Sequence, residues 1–158
     1  MPFLMEKQKQ SEWCWAAVAL SIERYFSPYS VWGQCGIVAQ VLTDAKDSCD
    51  YPKNHDKPAQ LEAALAAVSR LKATLKRKMK FEEIKQELDA GRPVCVRIKW
   101  TGDGAHFVVL TGYKVSGSNL RVVDIADPLY PDSTRAFDDF PSNYQGGGEW
   151  TDSFLVKS

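Results

Sequence analysis

Net charge is the first thing the sequence lacks: across 158 residues, 20 Lys and Arg cancel 20 Asp and Glu. Nothing in that balance draws the chain to nucleic acid or to a membrane surface. The one basic run, KATLKRKMK at Lys72–Lys80, has no second cluster beside it and reads as a solvated helix end or loop. No apolar run approaches the roughly 20 residues that a membrane span requires. The opening MPFLMEKQKQ is too short and too charged for a signal peptide. The expected location is therefore the producer's cytoplasm or, after delivery, a target cell. Internal repeats and low-complexity tracts are absent. Four cysteines do not make a disulfide scaffold in a chain of this length. Cys35 and Cys49 flank a turn-rich stretch and could pair in an oxidising compartment, a matter of distance that the sequence leaves open. Together with His55 they lack a close Cys pair and a fourth ligand, so no zinc site is expected, nor any other metal or cofactor. Histidine is scarcer still, with two in the chain.

What is present divides by hydrophobic period. Residues 13–26 are apolar on nearly every side (Trp13, Trp15, Ala16, Ala17, Val18, Ala19, Leu20, Ile22, Tyr25, Phe26), which predicts a centrally buried helix. Ser27-Pro28 stops it, because proline excludes its predecessor from helical geometry. Ile37, Val38, Val41 and Leu42 suggest a second helix. Leu61, Ala64, Leu65 and Val68 after Pro58 predict a third, and Phe81, Ile84 and Leu88 a fourth, closed by Gly91 and Pro93. After Gly91 the period becomes two. VCVRIKW, HFVVLTGY (106–113), LRVVDIAD (120–127) and GEWTDSFLV (148–156) read as strands. Helices first and antiparallel strands second predict an α+β fold, one domain over 1–158 with a helical half to about residue 91 and a sheet half from about 92.

Cys14 stands near the start of the first helix, between two tryptophans, where a structural thiol gains nothing. Thiol chemistry runs through the thiolate, which unpaired helix N-terminal N–H groups and a nearby imidazolium both favour. His55 lies in the loop YPKNHDKP and reads as a surface residue. His106 opens an apolar strand directly after TGDGA, whose small residues leave room beside the ring. A third group must fix the imidazole tautomer. Asp127, held extended before Pro128, can reach His106 if the two lie at matching ends of a hairpin. Strand parity points Asp124 the other way.

Gln8-x5-Cys14-Trp15, Gly104-Ala105-His106-Phe107 and Ala126-Asp127-Pro128 together resemble the papain-like cysteine proteases. The likeness is to the compact bacterial branch that includes plant-pathogen effector proteases and bacteriocin-leader peptidases. It extends over nearly the whole chain through LDAGRPVCVRIKW and YQGGGEWTD. The resemblance implies a papain-like fold, a helical half with a central buried helix packed on an antiparallel sheet. It also implies Cys14 as nucleophile, His106 as general base and then acid, and Asp127 as the group orienting His106, where papain itself uses Asn. Gln8 would donate its side-chain amide to the oxyanion beside the Cys14 N–H, a contribution of about 3–4 kcal/mol. Gln10 is a neighbouring alternative. Trp15 would pack beneath the nucleophile, and Trp150 either shields the His106–Asp127 contact or serves the core.

The expected activity is that of a cysteine endopeptidase, an effector or interbacterial toxin domain. The alternatives are a leader-peptide peptidase, a deamidase or acyl-transfer enzyme on the same triad, and a binding module without catalysis. Its partners would be a protein or peptide substrate and a cognate inhibitor or immunity protein, since 13 residues before Cys14 leave no room for an inhibitory pro-segment. Nucleic acid and membrane are not expected partners, and a monomer is. Ser11, Trp13, Asp103, Gly104 and the 129–145 loop are the expected cleft lining. The acidic residues Asp132, Asp138, Asp139 and Glu149 suggest a mild preference for basic substrate residues.

Overall fold

The computed structural model describes residues 2–158. Helix α1 runs Cys14–Phe26 and buries all ten residues from Cys14 to Glu23. Its two buried polar side chains are satisfied: the Ser21 hydroxyl donates to the Ala17 carbonyl at 2.7 Å, and Glu23 pairs with Arg70 at 2.6 Å. Around α1 pack α2 (Gln34–Val41) and α3 (Leu61–Ala67). Strand β1 (Leu71–Leu75) and helix α4 (Phe81–Asp89) follow, then β2 (Val94–Trp100), β3 (Ala105–Val115), β4 (Arg121–Ala126), β5 (Ser133–Ala136) and β6 (Gly148–Val156). The strands form one antiparallel sheet in the order β1-β6-β2-β3-β4-β5, and the fold is α+β.

Two cores lie on the two faces of that sheet. On one face, Cys95, Phe107, Val109, Phe154 and Val156 meet α1, α2 and α3. On the other, Val94, Val96, Ile98, Val108 and Leu110 meet Phe81 and Ile84 of α4 and the aromatic group Phe137, Phe140, Tyr144 and Trp150. Period-two alternation along β2 is what feeds both cores at once.

Three elements differ from the sequence expectation. Residues 71–75 form an edge strand rather than the expected solvated helix end or loop; a bulge between Leu71 and Ala73 breaks the alternation, so Leu71 packs with one core and Leu75 with the other. Helix α4 does not join α1–α3 but covers the opposite face of the sheet. Strand β5, with the sequence STRA, carries no apolar alternation that would announce it. Cys35 and Cys49 are joined in a disulfide, with Cα atoms 4.9 Å apart. His55 pairs with Asp47 at 2.6 Å. Among the described residues no helix is long and apolar enough to cross a membrane.

Candidate active site

Cys14 is the first residue of α1, and its N-cap Trp13 provides no side-chain cap. The first bond to the Trp13 carbonyl comes from Ala17 N–H, so the first-turn amides and the positive end of the helix stay directed at the thiol. The turn before Cys14 is held from outside. Asp56 accepts from Glu12 N–H at 2.7 Å and from the Ser11 hydroxyl at 2.6 Å. The indoles of Trp13 and Trp15 donate to the carbonyls of His55 and Lys57 at 2.9 and 3.0 Å.

His106 enters on β3. The β2–β3 turn closes with Trp100 N–H donating to the Gly104 carbonyl at 3.0 Å. Gly104 has φ +82°, a left-handed conformation that disfavours side-chain-bearing residues, and the space beside it is open. His106 Nε2 donates to Asp127 Oδ1 at 2.8 Å, and Cys14, which lines the same cleft as His106, also favours the charged form of the ring. Trp100 stacks on the imidazole with centroids 5.7 Å apart and planes 20° apart, and Tyr130 meets its edge.

Asp127 is fully buried and saturated with donors. Oδ1 also accepts the N–H groups of Leu129 at 2.7 Å and Tyr130 at 3.0 Å, and Oδ2 accepts the Tyr144 hydroxyl at 2.5 Å. Burial opposes charge on both members of this pair, and their hydrogen bonds overcome it. For His106, Asp127 and Cys14 outweigh desolvation and raise its pKa to about 9. For Asp127, the contacts with His106, Tyr144 and Tyr130 outweigh desolvation and hold the carboxyl below its usual range. The result is an imidazolium kept charged against a carboxylate, beside a thiol at a helix N-terminus. That arrangement can deliver a nucleophilic thiolate and return a proton to a leaving group.

Gln8 lines the cleft, and Gln10 does not. Its backbone N–H donates to the Pro128 carbonyl at 2.9 Å. Its side-chain Nε2 donates to the carbonyls of Gln10 at 3.1 Å and Ser11 at 2.8 Å, while its buried Oε1 has no partner. Both amide hydrogens are thus directed at the 10–11 turn, so an oxyanion would have to draw one of them away.

The cleft encloses about 500 Å³ between Ser11, Glu12, Pro58, Ala59 and Gln60 on one wall and Arg97, Trp100, Asp103, Gly104, Phe107 and Leu129 on the other. Trp13, expected there, is buried in the core instead. Of the 129–145 loop only Leu129 lines it. Asp132, Asp138, Asp139 and Glu149 lie elsewhere, with Asp138 paired to Arg121, which removes the reason for expecting basic substrates. Trp150 is a core residue, its indole donating to Ser153 at 2.8 Å, and the aromatic face on the imidazole belongs to Trp100. Asp124 is exposed and bonded to Thr134. Tyr144 and Trp100 were missed from the sequence. Proximity of YQGGG to the Ala-Asp-Pro strand end was the only signal for the first, and position opposite the His106 strand for the second.

The family profile described as "Papain-like cysteine protease AvrRpt2" matches residues 1–145. Among solved structures, the Pseudomonas avirulence protein AvrPphB aligns over 99% of this chain and 98% of its own, at 12% identity and a TM-score of 0.40. No curated protein matches the sequence.

Proposed function

The chain belongs to the papain-like cysteine proteases of the AvrRpt2 family, and from that premise we propose that it cuts a protein substrate through Cys14, His106 and Asp127. The observation that carries this reading is the buried line Cys14–His106–Asp127, opening on a cleft of substrate dimensions. The Cys14 thiolate attacks the scissile carbonyl carbon, and the oxyanion forms within reach of the Cys14 N–H and the Gln8 amide. The His106 imidazolium then protonates the departing amine, leaving a thioester on Cys14. Water, deprotonated by neutral His106, attacks the thioester and releases the second product. Asp127 keeps the Nε2–H of His106 directed at itself, so the other ring nitrogen serves Cys14.

In this reading residues 1–158 act as one monomeric peptidase domain, delivered into a target cell and restrained in the producer by a cognate inhibitor over Cys14. The test is incubation of wild type, Cys14→Ala and His106→Ala with a target-cell lysate, followed by mass spectrometry of peptide termini. New termini generated by wild type alone support proteolysis. A gain of one dalton at glutamine without new termini would instead make the enzyme a deamidase. Identical profiles for wild type and Cys14→Ala would overturn the catalytic reading. Expression in a susceptible cytoplasm tests toxicity: wild type should arrest growth and Cys14→Ala should not.

A further inference from the structure

Gln34 is a polar residue at 2% exposure, at the first position of α2, remote in sequence from every residue of the cleft. Its side-chain amide reaches the extended N-terminal segment and grips it twice. Nε2 donates to the Lys7 carbonyl at 2.8 Å, and Oε1 accepts the Lys9 N–H at 3.0 Å. Those are the two groups a neighbouring strand would engage, and they flank Gln8 on either side. Backbone polarity alternates along an extended segment, so residues 7 and 9 face α2 while residue 8 faces the other way. There the Gln8 N–H donates to the Pro128 carbonyl. The backbone at Gln8 is therefore pinned from α2 on one side and from the Asp127-Pro128 corner on the other. Its side chain is held only through Nε2, with Oε1 unpartnered.

We propose that Gln34 is a positioning residue for oxyanion stabilisation: its amide fixes the backbone of Gln8 so that the side-chain amide can turn from the 10–11 carbonyls to the reacting carbonyl. This rests on Gln8 being the oxyanion donor. A donor is effective when its location is set before the charge appears, and a misplacement of about 1 Å can cost a hundredfold. Gln34 fixes location and leaves rotation free.

The test separates a step that develops an oxyanion from one that does not. Acylation of Cys14 by p-nitrophenyl acetate passes through a tetrahedral oxyanion before p-nitrophenolate leaves; alkylation by iodoacetamide displaces iodide without one. Both rates are read by mass spectrometry at Cys14, with Cys14→Ala as blank. Gln8→Ala should slow acylation by roughly tenfold or more and leave alkylation unchanged. Gln34→Met should slow acylation several-fold, again with alkylation unchanged, and should add nothing in the Gln8→Ala background. Gln34→Glu keeps the shape and the acceptor for Lys9 N–H but loses the donor to the Lys7 carbonyl, and should fall between wild type and Gln34→Met. Unchanged acylation in Gln8→Ala removes Gln8 as the donor, and the inference with it. A slow Gln8→Ala with a normal Gln34→Met, or with losses that add in the double variant, overturns the role of Gln34 alone. Parallel loss of alkylation in both Gln34 variants would make Gln34 a general fold residue and also overturn it.

Discussion

Asp127 and Asp124 lie three residues apart on one strand end and have opposite environments. Asp127 is enclosed by four donors, whereas Asp124 meets Thr134 at the surface. Asp127→Ala should lower kcat/KM by roughly a hundredfold or more while Asp124→Ala stays within a few-fold. The reverse order would place the orienting carboxylate at Asp124. The same pair sets a pH dependence. Because His106 titrates near 9, the imidazolium that protonates the leaving group persists through neutrality. kcat/KM should accordingly hold to about pH 8 and fall above 9, in step with the His106 ring signal in proton NMR; a break near 6.5 would show that the Asp127 and Cys14 contacts do not raise it. The meeting of Cys14, His106 and Asp127 was readable because each announces itself locally: a thiol at a helix start, an imidazole after a glycine turn, a carboxylate fixed by proline. Tyr144, Trp100 and Gln34 were not readable, since each acts through a contact that only the tertiary fold creates.

Elements were legible where their period was undisturbed. Helix α1 ends at Phe26 as Ser27-Pro28 dictates, and β2, β3, β4 and β6 fall where alternation places them. Strand β1 was hidden because a bulge between Leu71 and Ala73 breaks its alternation and sends Leu71 to one core and Leu75 to the other. The face that α4 covers was illegible for a different reason: amphipathicity shows that a helix packs, not which side of a sheet receives it. One pairing carries an exacting steric demand. At Gly148, a Cβ would lie 2.6 Å from the Lys99 carbonyl oxygen and 2.7 Å from the Ile98 side chain, where β6 crosses β2. Gly148→Ala should therefore destabilise the protein by about 1–3 kcal/mol, measured as a lowered midpoint in urea. An unchanged midpoint would mean that the β2–β6 contact yields without cost.

Across the whole molecule, ionisable groups confine stability from both sides. His106 is raised above its usual 6.5, so its contribution is complete below that pH and is lost as pH rises through about 9. Asp127 and Asp152 are lowered from 3.8 by hydrogen bonds that overcome their burial, and Glu83 is lowered from 4.5 to about 2 by its bonds to Arg77 and the Lys80 N–H. Their contributions are complete above those usual values and fade as pH falls through the depressed ones. Thermal midpoints should peak between about pH 5 and 6.5 and decline on both sides. A midpoint still climbing toward pH 9 would contradict the raised His106.

The sheet order has a further consequence, in time rather than in space. Strand β6, the last of the chain's strands to be made, lies between β1 and β2 and pairs with both. Synthesis delivers Cys14 first, His106 and Asp127 much later, and the strand that knits β1 to the rest of the sheet last of all. Until residues 148–156 emerge, β1 has no partner and β2 has an open edge. A chain halted anywhere before Gly148 lacks the strand that joins β1 to the rest of the sheet. A ribosome therefore carries the thiol through the making of residues 15–147 before the scaffold for its chemistry can close.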